Sequence, residues 1–339
     1  MKKLLLTTIA LLCGMSLYSS NLRGTIKNVN GDLLTGASIT VTNLTTGTKY
    51  DCTSIDRGAY TVNYIKDGNY NIVVICKAYV TINTTVEVKG DVTKDFVLER
   101  IKPQVETTEE GDLIFTMNGA TFVMKHVDGG MCNIPEYNIS QELNGFYMGE
   151  TEVTQELWTA IMASNPSYHQ NLNYHYGTEN STNRPVEKVS YEECQEFINI
   201  LNELTGKQFR LPTMAEWVFA ARGGVKSHGY KYAGSDNPEE VAWYDRNSGW
   251  SEVKKTIMPG YKSQQVKQKK PNELGLYDMS GNVKEWFQDT FIDGRYTYGG
   301  TLGGAFKQSA RDVQIITGID YIKITDGDIV IGLRLALTE

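Results

Sequence analysis

PNELGLYDMSGNVKEW, residues Pro271 to Trp286, is the most informative stretch of this 339-residue chain. Glycines, an Asp and a Glu at this spacing predict a tight loop lined by backbone and side-chain oxygens. Oxygen ligands of this kind suit a hard cation. In the competing interpretation, Asp278 and Glu285 only accept backbone N–H bonds in a tight turn.

The chain around this loop has the pattern of a mixed α and β domain. Ser190 with Glu193, and Thr213 with Glu216, form two capping boxes that predict helix starts. Gly206 and the pair Gly223-Gly224 stop these helices, and a third, shorter helix is expected from Thr154. We expect Arg334, between apolar residues near the C-terminus, to pair with an internal carboxylate. After Gly224 the sequence is rich in Gly, Asn, Asp, Ser and Tyr, which is typical of irregular loops.

The region from Asn21 to Arg100 contains short runs rich in Val, Ile, Thr and Tyr, separated by turn residues. This pattern predicts an all-β sandwich. Residues 101–112, IKPQVETTEEGD, have linker composition, so we place a second domain at 113–339. The predicted strands are Thr25–Lys27, Ser38–Asn43, Tyr60–Tyr64, Tyr70–Cys76, Thr81–Val88 and Lys94–Leu98.

Residues 1–20 have the pattern of an export signal, with two lysines, an apolar run and then small and polar residues. We therefore expect a periplasmic or cell-surface protein. A lipid anchor at Cys13 is the less favoured alternative to cleavage near Ser20, because Leu12 stands where a small residue normally precedes a lipidated cysteine. No later run is long and apolar enough for a membrane helix.

The net charge of −7 and the lack of a basic cluster argue against nucleic-acid binding. Four cysteines remain after signal removal, without the CxxC spacing of a zinc or redox site. A bridge between Cys52 and Cys76 and a pair of unbridged thiols are both open interpretations.

Two resemblances follow from ordered motifs. The first 80 residues after the signal resemble the carboxypeptidase-regulatory-like (transthyretin-like) family, in Asp56-Arg57-Gly58-Ala59-Tyr60 and Asp67-Gly68-Asn69-Tyr70. The rest resembles the formylglycine-generating-enzyme, or sulfatase-modifying-factor, domain. This resemblance implies an α+β, C-type-lectin-related fold rich in irregular loops. Its motifs are Asn144–Thr154, Asn183–Glu187, Phe209–Trp217, Ala220–Gly224, Val241–Tyr244, Gly275–Trp286, Gly299–Thr301 and Ile331–Leu335.

The second resemblance also implies a chemistry that this sequence does not support. Members of that family oxidise a sulfatase cysteine with copper and oxygen, and two cysteines after a Gly-Gly-Ser motif hold the metal, since thiolates suit Cu(I). Here Gly299–Arg311 contains no thiol, and no cysteine follows Cys194. Copper is therefore not expected. The same resemblance implies a calcium site, with carboxylates from Asp278 and Glu285 and backbone carbonyls from Gly281 and Val283.

We expect the segment from Thr301 to Gly327 to form much of an exposed binding face. Thr301, Ser309 and Arg311 are the candidate ligand-binding residues there, and Trp250 is a candidate exposed aromatic. The leading hypothesis is a non-catalytic binding or structural protein with a protein or glycan ligand at the cell envelope. The alternative is a sulfatase-modifying or other protein-modifying enzyme that uses the same cleft without the cysteine pair.

Overall fold

The computed structural model of the protein describes residues 20–170, 173–174, 177–178, 181–249, 261–317 and 319–339. These residues fall into two compact units. One holds the chain up to Cys76 together with Val80–Glu99, and the other holds Lys77–Tyr79 and Arg100–Glu339. Residues 1–19 of the expected signal segment, including Cys13, lie outside the described residues.

The first unit is built of β-strands in two four-stranded sheets. One sheet has the order β3-β2-β5-β6, and in the other β1 pairs with β4, β7 and β8. Buried and less buried residues alternate along β5, so that sheet covers its core with one face. The strands are β1 Ser20–Asn28, β2 Ser38–Asn43, β3 Lys49–Thr53, β4 Ala59–Ile65, β5 Gly68–Ile75, β6 Ile82–Val88, β7 Val92–Thr93 and β8 Phe96–Leu98.

Two short strands of the first unit, β3 and β7, were not predicted from the sequence. The strand β3 was not predicted, because its residues are polar and none of them is fully buried. Cys52 and Cys76 are not joined by a disulfide, so the unbridged interpretation holds.

The second unit contains a six-stranded sheet of order β17-β22-β14-β11-β10-β9 and a four-stranded sheet of order β20-β19-β18-β21. Its helices are α1 Gln155–Met162, α2 Tyr191–Thr205, α3 Met214–Ala221 and α4 Pro238–Val241. Its strands are β9 Gln104–Thr107, β10 Leu113–Met117, β11 Ala120–Val127, β12 Gly130–Ile134, β13 Ile139–Leu143, β14 Phe146–Gly149, β15 Asn173–Tyr174, β16 Gly177–Thr178, β17 Phe209–Arg210, β18 Lys284–Asp293, β19 Tyr296–Leu302, β20 Asp320–Lys323, β21 Ile331–Leu333 and β22 Ala336–Thr338.

The prediction of a linker at residues 101–112 is wrong, because the middle of this segment forms a strand. Gln104–Thr107 forms β9, the edge strand that pairs antiparallel with β10. All four residues of β9 are exposed, which explains why their composition resembles that of a linker. The expected boundary therefore moves to Glu99–Arg100, where the two units divide.

The predicted helix starts are confirmed. Both capping boxes are complete, at Ser190 for α2 and at Thr213 for α3. The ring of Trp158 in α1 stacks on Phe197 in α2 with centroids 4.9 Å apart, which joins these helices in one apolar core. Within the described residues, no helix combines the length and apolarity needed to cross a membrane.

Side chains hydrogen-bond much of the irregular backbone after α3. Asn272 is an example, since its amide donates to the carbonyl of Ala220 at 2.7 Å and its oxygen accepts from the backbone N–H groups of Leu274 and Leu276. A buried amide used in this way satisfies backbone groups that no sheet or helix reaches. The loop of residues 275–283 follows this segment and leads directly into β18.

Candidate functional site

The loop from Gly275 to Val283 has an unusual backbone. Gly275, Asp278, Gly281 and Asn282 all have positive φ values, of 77°, 58°, 83° and 59°. Gly and Asn adopt this left-handed region more readily than other residues. At Gly281 a side chain is excluded, because a Cβ atom there would lie 2.1 Å from the carbonyl oxygen of Trp243.

Glu285, at the start of β18, forms a buried ion pair with Arg334. The Arg334 Nη2 atom lies 2.7 Å from Glu285 Oε1, and both side chains are buried. Trp217 Nε1 donates to Glu285 Oε2 at 2.6 Å. The remaining guanidinium N–H groups donate to the carbonyls of Gly149 and Tyr277, each at 2.8 Å. The expected pairing of Arg334 with an internal carboxylate is therefore confirmed.

Two further buried carboxylates lie close to this ion pair. Glu152 accepts from the backbone N–H of Val283 and from the Asn282 side chain, both at 3.3 Å. Asp278 Oδ2 accepts from the backbone N–H of Lys267 at 2.8 Å, while its Oδ1 is buried without a hydrogen-bond partner.

The charges in this cluster of Glu152, Asp278, Glu285 and Arg334 do not balance. Burial, and then the nearby charges of Asp278 and Glu285, raise the pKa of Glu152 well above its ordinary value. Burial is also the main cause that raises the pKa of Asp278 to about 6. Three carboxylates face one guanidinium, so the native cluster favours taking up a proton or another cation.

The predicted calcium ligands fit this geometry only after a correction. Glu285 is not available, since Arg334 and Trp217 already donate to both of its oxygens. The unbonded Oδ1 of Asp278 and the surplus of negative charge do suit a hard cation. In the part of the chain that the structure describes, no group of three or more His, Cys, Asp or Glu side chains is placed to hold a metal. A cation here would therefore depend on Asp278 and on the backbone carbonyls of Gly281 and Val283.

The predicted ligand-binding residues are not brought together. Thr301 is fully buried in β19, and its hydroxyl donates to the carbonyl of Asp320, so a ligand cannot reach it. Ser309 is exposed but donates to Asp312 Oδ2 at 2.7 Å, which stabilises a local turn. Arg311 is exposed two residues further along. Trp250 lies outside the described residues.

The turn after Thr301 also leaves no room for a side chain at Gly304. Gly303 and Gly304 have φ values of 91° and 70°. A Cβ atom at Gly304 would lie 2.6 Å from the carbonyl oxygen of Asp312. Such a distance excludes any side chain at this position unless the backbone moves.

Sequence analysis missed the lysine beside this turn. Lys284 is 5% exposed and its Nζ forms an ion pair with the carboxylate of Asp320, the residue whose carbonyl accepts from Thr301. Burial lowers the pKa of Lys284 below its ordinary value. No local pattern reveals this pair, because the two residues lie on different strands and 36 positions apart.

A cavity of about 410 Å³ opens between β11, the start of α1 and residues 265–268. Its wall includes Phe122, Glu150, Glu152 and Lys267, and Lys267 Nζ lies 2.8 Å from Glu150 Oε2. None of the predicted ligand-binding residues Thr301, Ser309 and Arg311 lines this cavity.

Comparison with protein families gives two matches that divide the chain at the same point as its compact units. Residues 99–337 match the sulfatase-modifying factor enzyme 1-like domain. Residues 21–99 match the carboxypeptidase regulatory-like domain.

Individual relatives include proteins with and without an assigned enzyme activity. The chain is 33% identical over 214 residues to the chaperone protein LppX of Paenibacillus barcinonensis, which covers 53% of this chain and 72% of that protein. It is 29% identical over 119 residues to the inactive C-alpha-formylglycine-generating enzyme 2 of Mus musculus, covering 35% and 33% of the two chains. It is 35% identical over 123 residues to the formylglycine-generating enzyme of Streptomyces coelicolor, covering 35% and 37%. The chain thus spans only about a third of the last two relatives.

A solved structure supports the fold of the second unit. Treponema denticola variable protein 1 superposes with a TM-score of 0.56 at 28% identity, covering 67% of this chain and 99% of that one.

Proposed function

The chain belongs to the sulfatase-modifying factor enzyme 1-like family, and from this premise we propose that it is an exported, non-catalytic member that binds a partner at the cell envelope. The fold of the family can be retained while its chemistry is lost, since function lies in the site and not in the fold.

The observation that carries this proposal is the lack of any thiol after Cys194. Without a pair of thiolates after Gly299–Thr301, the place of the family's copper site offers no soft ligands for Cu(I). The buried Thr301 and the closed turn at Gly304 support the same conclusion, because neither offers a surface at which a peptide substrate and a metal could meet.

Two relatives add support. The chaperone protein LppX matches over 72% of its own length, and its name describes a chaperone and not an enzyme of this family. The mouse relative is named as an inactive member of the family. We infer that this chain, like the relative named as inactive, lacks the enzyme activity and acts through binding.

A direct assay separates this proposal from the enzyme alternative. The purified protein is loaded with Cu(I) and incubated with oxygen, a thiol reductant and a peptide of the form Cys-x-Pro-x-Arg, and the peptide is then analysed by mass spectrometry. We expect the peptide to keep its mass, whereas the Streptomyces coelicolor enzyme treated in parallel produces the aldehyde. Aldehyde formed by this protein would refute the non-catalytic proposal.

Export is part of the proposal, supported by the composition of residues 1–20. Expression of the full chain in a bacterial host, followed by fractionation and N-terminal sequencing, tests it. We expect an envelope fraction whose N-terminus lies near Ser20. Incorporation of labelled palmitate that is lost in Cys13→Ala would instead establish the lipid anchor.

Calcium binding by the loop of residues 275–283 remains a proposal as well. It is supported by the unbonded Oδ1 of Asp278 and by the three carboxylates that share one guanidinium. Calcium there would offset buried negative charge and hold the loop, and it would supply no redox chemistry.

A further inference from the structure

An exposed aromatic surface lies on the outer half of the β18–β19 hairpin. Phe291 stacks on Tyr298 with ring centroids 5.6 Å apart, and Tyr321 of β20 meets Phe291 edge-on at 5.0 Å. Phe291 and Tyr321 are 44% and 50% exposed. Exposed aromatic clusters of this kind mark interaction sites more often than single exposed rings do.

The same hairpin has an open strand edge. On the side of β18 away from β19, the short strand β21 pairs only with Lys284–Trp286. Gln288 is also satisfied, since its N–H donates to the carbonyl of Pro212 and its carbonyl accepts from the Tyr191 hydroxyl. For Asp289–Asp293, no strand among the described residues pairs on that side.

The hairpin register tells which backbone groups point to the open side. A two-residue loop at Gly294 and Arg295 makes the flanking pair, Asp293 and Tyr296, a hydrogen-bonded pair. Pairs alternate along an antiparallel ladder, so Thr290 and Ile292 direct their N–H and C=O groups away from β19. The carbonyl of Thr297, opposite Ile292, correspondingly points outward and accepts from Ile324 N–H at 3.1 Å.

We propose that an extended polypeptide segment adds as a strand to the Thr290–Ile292 edge of β18 and packs a side chain on the aromatic surface of Phe291, Tyr298 and Tyr321. This inference rests on the proposed binding function and names its partner class. Two outward N–H groups and two outward C=O groups at strand spacing match the backbone of another extended peptide.

The charges of the edge define the partner more closely. The exposed residues Gln288–Asp293 include two carboxylates, Asp289 and Asp293, and no basic side chain. Ile292 is 77% exposed on the face opposite Phe291. The complementary segment therefore has apolar residues in its centre and Lys or Arg on both sides. Acidic residues also protect free edges against pairing, so the proposal needs a direct binding test.

The probe is the seven-residue peptide TKVFVKT, carrying a fluorophore, added to the full-length protein and followed by fluorescence anisotropy. The acidic peptide TEVFVET and the peptide TKVPVKT, which lacks the central N–H, serve as matched controls. We expect TKVFVKT to bind at least tenfold more tightly than either control. Equal binding of the three peptides, or no binding, would contradict the proposal.

Variants locate the binding edge. Ile292→Pro removes one outward N–H but none of the bonds to β19, and should weaken binding of TKVFVKT about tenfold, while Ile292→Thr should change it less than twofold. Phe291→Ala should weaken binding about fivefold, and Tyr230→Ala, at a tyrosine elsewhere in this unit, should have no effect. Circular dichroism and melting temperature confirm that the variants fold.

Hydrogen exchange supplies an independent readout, in which bound TKVFVKT should protect the amides of Thr290 and Ile292. Protection of amides only outside this edge would overturn the proposal. A dimer that dissociates in Ile292→Pro would also overturn it, because the edge would then bind a second copy of this chain. These outcomes leave the assay for aldehyde formation unaffected, so failure of the edge is distinguishable from failure of the non-catalytic proposal.

Discussion

Arg334 shows what residue-level reasoning can and cannot supply. A buried arginine between apolar residues must have a carboxylate partner, and this expectation is confirmed. The partner, Glu285, had been expected as a calcium ligand, because the sequence does not reveal which of several carboxylates an arginine reaches. Similarly, Glu216 caps α3 as expected, but its ion partner is Arg210 at 2.6 Å. The nearby Arg222 donates to the carbonyl of Asn133.

Replacing Arg334 tests the cluster most directly. Arg334→Met leaves Glu285 buried without a counter-charge, so we expect the free energy of unfolding to fall by about 3–5 kcal/mol. Urea denaturation at pH 7.5 measures this loss. Lys270→Ala is the control, because its ion pair with Glu240 is exposed to solvent and should contribute little to stability. Similar losses of unfolding free energy in the two variants would mean that the buried ion pair stabilises the fold no more than an exposed one.

Asp278→Asn tests the electrostatic imbalance through pH. A carboxyl group whose folded pKa is raised to about 6 binds a proton on folding, so its ionisation destabilises the protein as pH rises from about 4 to about 6. The neutral variant should therefore be more stable than the parent at pH 7.5, by up to about 3 kcal/mol. The difference should vanish near pH 4. Urea titrations in EGTA at several pH values check this, and a pH-independent difference would exclude the assigned cause.

At the level of elements, local sequence patterns predicted the helices α1, α2 and α3 but not the exposed strands. Capping boxes and apolar periodicity depend on residues within one helix, so α2 and α3 could be predicted with their starting residues. The strands β3 and β9 contain few buried residues, and their strand conformation depends on a neighbour that the local sequence does not show. The same limit applies to the open edge of β18, which is defined by where β21 ends.

The capping box of α2 provides a prediction at this scale. Ser190 Oγ accepts from the N–H of Glu193 at 3.2 Å, and Glu193 Oε2 accepts from the N–H of Ser190 at 2.8 Å. Ser190→Ala should lower the free energy of unfolding by about 1 kcal/mol. The double variant with Glu193→Ala should lose less than the sum of the single variants, since each bond supports the other. Strict additivity in thermal or urea unfolding would show that the two bonds act independently.

For the whole molecule, composition and ordered motifs were sufficient to predict two domains and their families, and both family matches confirm this. The division falls at Glu99–Arg100, a dozen residues before the expected start of the second domain, because β9 belongs to the six-stranded sheet. The candidate site was less predictable. It joins Glu152 and Arg334 to Asp278 and Glu285 of the Pro271–Trp286 stretch, and only long-range packing brings these three parts of the second unit together.

Calcium should stabilise the whole second unit, because the loop that would bind it, residues 275–283, leads directly into the buried start of β18. A cation that binds only the folded state stabilises it by about 2.7 kcal/mol at a concentration of 100 times Kd. For a unit of this size we expect the melting temperature to rise by about 5 °C between EGTA and saturating Ca²⁺ at pH 7.5. The rise should be absent in Asp278→Asn and should not occur with K⁺ at equal ionic strength. An unchanged melting temperature, or an equal rise in the variant, would show that Arg334 alone balances the cluster and that the loop needs no metal.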